Sequence, residues 1–110
     1  MASTFKNFKK ELTTTEETIY ICPANKVAIV LGIQATNADG LYEADLNLSW
    51  SDASDSNTKT PLLFATPIPP GSALSCIAGK LTLEEGDTII AEASTDNAVT
   101  LSGSVVEMDA

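Results

Sequence analysis

The residues of this chain whose types could do chemistry are its carboxylates, of which three groups stand out: Glu43 with Asp45, Asp52 with Asp55, and Glu84 and Glu85 with Asp87. A glycosidase needs two carboxylates facing each other across a cleft, one of them with a raised pKa. Glu43 and Asp45 fall on the polar positions of an alternating stretch and should point to solvent, while the third group lies in a tight turn, "EEGD". Asp52 and Asp55, in "SWSDASDSNTKTP", raise calcium instead. A calcium loop sets oxygen ligands at fixed spacing, with a glycine for the bend and a closing glutamate. Neither follows here, and serine, aspartate and asparagine are what a solvated turn prefers. Residues 51–60 are therefore read as a rim loop. The chain has no histidine, which removes the usual general base, the usual zinc ligand and any triad that relies on imidazole. No catalytic, metal or cofactor residue is assigned, and the protein is expected not to be an enzyme.

Two other residue classes need placing. Cys22 and Cys76 lie 54 positions apart without a CxxC pattern; a bridge and two buried reduced thiols both remain open. Among the aromatics, Tyr42 and Trp50 share the register of Leu46 and Leu48 and are expected to pack inside rather than form a sugar platform. Tyr20 is out of step with Ile19 and Ile21 and is the candidate exposed aromatic.

The elements that would position these residues are strands. In "LYEADLNLSWSD" apolar and polar residues alternate strictly, as in a half-buried antiparallel strand. In "KVAIVLGIQAT" Val27, Ile29, Leu31, Ile33 and Ala35 make one side, while Ala28, Val30 and Gly32 leave the other apolar too, which predicts a central strand. "CPANK", "NADG", "PIPPGS", "EEGD" and "STDNA" punctuate the remaining runs. The prolines of "PIPPGS" exclude a central strand there. About eight strands and no helical periodicity predict an all-β chain: one antiparallel β-sandwich, jelly-roll-like.

Length, charge and termini complete the frame. A chain of 110 residues, 44% hydrophobic, suits one domain with a real core. The net charge of −9 and the lack of arginine argue against nucleic-acid binding. The opening "FKNFKK" lacks the apolar run of a secretion signal, and "VAIVLGI" is far short of a membrane span, so no membrane partner is expected. Three of the six lysines fall in the first ten residues, which hold no acid, so the rest carries −12. Residues 1–12 are read as an N-terminal arm or edge strand and 13–110 as the sandwich domain. Phe5, Lys6, Phe8, Lys9 and Lys10 are the candidate protein-interaction residues: either lysines that discourage edge pairing, or an arm anchored on a neighbour by its phenylalanines.

The turn and strand sequences resemble a known group. "IYICPANKVAIVLGIQATN" and "PIPPGSALSCIAGKLTLEEGDTIIAEASTDNAVTLSGSVVEM" are similar to small β-sandwich structural proteins of tailed bacteriophages, notably those of cyanobacteria. The matching residues are Cys22 to Asn25, Pro67 to Leu74, Leu81 to Ala91 and Glu107, within a resemblance that spans about residues 17–108. It implies a non-enzymatic virion component, assembled in the host cytoplasm in many copies or as a homo-oligomer with other virion structural proteins. The first role implied is capsid decoration or cementing. A neck, tail or baseplate and fibre-attachment protein, or a carbohydrate-binding adhesin module, is the alternative. No catalytic residue transfers. The acidic remainder suits an outer surface in salt water, where like charge keeps particles apart.

Overall fold

A computed structural model describes residues 3–110. Nine strands follow one another: β1 (Ser3–Glu11), β2 (Glu17–Ile21), β3 (Lys26–Asn37), β4 (Ala44–Asp52), β5 (Thr58–Ile68), β6 (Ala73–Ser75), β7 (Leu81–Leu83), β8 (Thr88–Ala93) and β9 (Val99–Asp109). One sheet runs β1-β9-β3-β6, with β7 also on β3; the other runs β2-β8-β4-β5. Every pairing is antiparallel. The first four strands pair in nested fashion with the last five: β1 with β9, β2 with β8, β3 with β6 and β7, β4 with β5. Wrapping such a nested hairpin into two facing sheets makes a jelly roll. The ninth strand arises because "CIAGK" divides one strand position into β6 and β7, with Gly79 at φ +87° inside the break.

The core lies between the sheets and includes Leu12, Val30, Ile33, Leu46, Leu48, Ile89, Leu101 and Val105, each contributing about 1.5–3 kcal/mol by leaving water. The central strand β3 reaches it in an unexpected register. A β-bulge between Val30 and Gly32 shifts the pairing with β9, so Ala28 and Val30 point inward before it and Ile33 and Ala35 after it. One extra residue reverses the pleat, which puts Ile29 and Leu31, read on one side with Ile33 and Ala35, on the opposite side from them and away from the core. Pro61 and Pro67 sit on β5, the outermost strand of its sheet, which is where a sheet tolerates proline.

Of the two aromatics expected inside, Trp50 packs against the core and Tyr42 does not. Trp50 is only half-buried at the margin of the core, opposite Ile89 and Thr60. Tyr42 precedes β4 in a loop and is 71% exposed. That loop is held by the fully buried Asn37, whose Nδ2 donates to the carbonyls of Tyr42 (3.0 Å) and Ile68 (2.9 Å). Local backbone capture, not the strand's alternation, sets where Tyr42 points.

Candidate functional site

The first strand divides the predicted interaction residues between two faces. Ser3–Glu11 pairs along its whole length with β9 at the edge of its sheet; residues 1 and 2 of the expected 1–12 segment lie outside the described residues. Lys6, Phe8 and Lys10 face inward. Phe8 packs on the core with its ring centroid 5.7 Å from that of Tyr20. Its cross-strand partner is Gly103, where a Cβ would come within 2.5 Å of the Phe8 ring and 2.6 Å of the Gly32 carbonyl. Only glycine leaves room for that ring. Lys10 pairs with Glu17 at 3.2 Å, and Lys6 pairs with Glu107 at 2.8 Å.

Glu107 is 4% exposed and joins three strands. Its Oε1 meets Lys6 of β1, and its Oε2 accepts from the Tyr20 hydroxyl of β2 across the sandwich. The Lys6 ammonium and the Tyr20 hydroxyl hold its carboxyl below the usual range, while burial and the nearby carboxylate push the Tyr20 phenol up. Both carboxylate oxygens are occupied, so the cluster fastens the edge between the sheets. Tyr20, expected outside, therefore has its ring inside and its hydroxyl consumed.

The other face of β1 carries Phe5, Asn7 and Lys9, and it continues across the outer side of the sheet. Phe5 is 75% exposed. Beside it stand Val106 and Met108 of β9 and Val27, Ile29 and Leu31 of β3, none of which belongs to the core cluster. Val106 is only 9% exposed although it faces outward, because its cross-strand neighbours are Phe5 and Ile29. Toward the other end of the same face the residues become small and polar: Ser102, Ser104, Gln34 and Ser75, around Gly32. They surround a depression of about 750 Å³ that also touches Asn7, Lys9 and Leu31. Among the described residues, no outward position of β3, β6, β7 or β9 carries a charge; only β1 brings Lys9 and Glu11. Depletion of charge around an apolar centre is the compositional mark of an interface core. Sequence reading caught half of this, the two-sided apolarity of "VAIVLGI", but took from it only a central strand, which β3 is.

The carboxylates first considered for chemistry serve the loops. Asp87, 2% exposed, accepts from the backbone N–H of Ala53 and of Glu84, each at 2.9 Å. Asp52 accepts from the backbone N–H (3.1 Å) and the hydroxyl (2.7 Å) of Ser54 and caps a single 3₁₀ turn, Ala53–Asp55. Glu85 accepts from the backbone N–H of Asn25. Asp45 lies on the outer side of β4, and Glu43 is exposed ahead of it. Cys22 and Cys76 are buried free thiols; burial pushes the Cys76 thiol up to about 11.

No family model and no curated protein matches the chain. Solved structures do. A chain from the acid-stable capsid of Helicobacter pylori bacteriophage KHP30 is 14% identical with a TM-score of 0.56, over 97% of this chain and 87% of that one. A Bacillus endospore appendage, from a family of disulfide-linked pili, is 14% identical with a TM-score of 0.55, over 96% of this chain and 84% of that one. A chain of the T13 particle of infectious bursal disease virus is 7% identical with a TM-score of 0.57, over 96% of this chain but 30% of that one. Identities this low show a shared fold alone, an antiparallel β-sandwich.

Proposed function

We propose that the protein is a non-enzymatic structural component of a tailed phage virion, present in many copies as a capsid decoration or cement protein. The observation that carries this is the similarity to a phage capsid chain of nearly the same length, covered at 87%, as against the 30% of the larger virus chain that it spans. A jelly roll that fills almost the whole of such a chain suits a small accessory subunit. The cyanophage-like turn sequences around Cys22 to Asn25 and Pro67 to Leu74 support the same reading. So does the acid-rich composition, which suits an exterior surface rather than one that lines packaged DNA. On this reading, of the five residues first singled out, Phe5 and Lys9 are free to meet a neighbouring virion subunit, while Lys6, Phe8 and Lys10 secure β1. A neck, tail or baseplate position is the alternative within the virion.

The test is to add purified protein to particles that lack it, sediment them, and reconstruct the particles. Occupancy repeated over the capsid lattice is expected. Density confined to a single vertex or to the tail would move the protein there, and failure to co-sediment would remove the virion role.

A further inference from the structure

From the outer side of the β1-β9-β3-β6 sheet we infer that two copies of this chain pair face to face across it, related by a two-fold axis, with Phe5 of each seated in the serine-lined depression of the other.

Charge selects a second copy as the occupant. Each chain carries −9, so two copies repel over most of their surfaces. The outer sides of β3, β6, β7 and β9 form the sheet face without charge, where two copies can approach without desolvating carboxylates. Lys9 and Glu11 lie at its edge on β1, at the rim of such a contact. The other sheet presents Asp45, Glu92 and Lys59 outward and is ill suited.

Shape gives the same answer. A two-fold interface needs one patch that complements itself, so knob and hole must lie on the same face. Here they do. Phe5 is 75% exposed, and the depression begins at Asn7, two residues along the same side of the same strand. Its floor includes Gly32, and a Cβ there would meet nothing within 4 Å. Glycine and serines leave open space between the longer Lys9, Leu31 and Gln34 of its wall, and an aromatic ring seated in a pocket is the kind of anchor that dominates interface energies. Twisted sheets are saddle-shaped, and two saddles interlock when their strands cross at a large angle. Size also suffices: four strands about 4.8 Å apart and up to about 12 residues long present roughly 700 Å², near the roughly 800 Å² per partner of a standard interface.

This goes beyond the virion role and is tested on the isolated protein, so the two can fail separately. Sedimentation equilibrium over a concentration series is expected to show a monomer–dimer equilibrium for the parent. Phe5→Ser should weaken it at least tenfold. Gly32→Lys, which fills the depression at a site with free space, should abolish it while the circular dichroism stays that of the parent. That variant also reduces the net negative charge, so the loss cannot come from added long-range repulsion between the two acidic chains. Phe64→Lys makes the same charge change on the far edge strand β5, where Phe64 is exposed, and should leave the dimer intact. A parent that is monomeric throughout overturns the inference. So does a dimer that survives Gly32→Lys, or one that Phe64→Lys breaks.

Discussion

The two outer faces of the sandwich differ in how their polar groups are spent. On the β2-β8-β4-β5 side, side chains satisfy one another and the backbone. Asn47 donates to Glu92 at 3.3 Å and accepts from the Ala65 backbone N–H at 2.7 Å, and the Ser94 hydroxyl accepts from that of Asp45 at 2.8 Å. The contact between Asn47 and Ala65 holds the irregular edge strand β5, where Ala65 takes a positive φ of +48° and the register with β4 slips. Charge, bulges and proline make that edge and face unwelcoming to a neighbour. On the β1-β9-β3-β6 side the outward residues of β3, β6, β7 and β9 are uncharged and about half of them apolar, and charge enters only with Lys9 and Glu11 on the edge strand β1. The same fold thus keeps one face solvated and leaves the other cheap to dehydrate, and function is best sought on the second.

The largest expected effect separates inside from outside along a single strand. Leu101 of β9 is fully buried, and its neighbour Ser102 is exposed on the outer face. Leu101→Ala should destabilise the protein by about 2–5 kcal/mol through lost burial and the cavity left behind. Ser102→Ala should change stability by no more than about 0.5 kcal/mol. Urea denaturation of both variants checks this. Equal effects would mean that the outer face is not free in the isolated chain.

The next effect contrasts two neighbouring glycines that point to opposite sides. At Gly103 an added Cβ meets the Phe8 ring at 2.5 Å and, less forgivingly, the backbone carbonyl of Gly32 at 2.6 Å. Gly103→Ala should therefore cost about 1–3 kcal/mol by overpacking. At Gly32 the same Cβ meets nothing within 4 Å. Gly32→Ala should be neutral or stabilise by about 0.4–1 kcal/mol through the unfolded chain. Thermal melting of the pair decides it, and similar losses for both would contradict the placement of the two faces.

Much of the fold was legible because period-two alternation and turn chemistry act locally. The strand at Ala44–Asp52, the punctuation at Gly86 and the edge position implied by Pro67 could all be read residue by residue. What could not be read were events set by tertiary pairing. The bulge between Val30 and Gly32 leaves no mark in the apolar pattern, yet it separates Ile29 and Leu31, on the outer face, from Ile33 and Ala35, which were read on the same side. Tyr20 and Tyr42 exchanged expected places because Glu107 and Asn37, distant or off-strand partners, capture a hydroxyl and a loop. The lysines of β1 looked alike in sequence, and the pleat alone separates Lys6 and Lys10 from Lys9. The outer face had a partial signal, apolar residues on both sides of one strand, but a sequence does not say whether the second side is covered by the same chain.

The smallest expected effect concerns the fastening between the sheets, which belongs to the inner side of β1 and should respond to pH. Glu107 has its carboxyl held below the ordinary value, first by Lys6 and then by Tyr20. An unfolded glutamate titrates near about 4.3, so the folded protein releases this proton more readily than the unfolded chain does. The resulting stabilisation is fully present above the unfolded value and is lost as pH falls through the lower, folded one. Lys6 is half in water, which screens the pair, and a contribution of about 1 kcal/mol is expected for a charge-assisted contact of this kind. Glu107→Gln should melt lower than the parent near neutral pH, and the gap should narrow as pH is taken below about 4. If the Glu107→Gln gap instead stayed constant into acid, the pair would be adding packing rather than charge, and β1 would be held to its sheet by Phe8 and the β9 ladder alone.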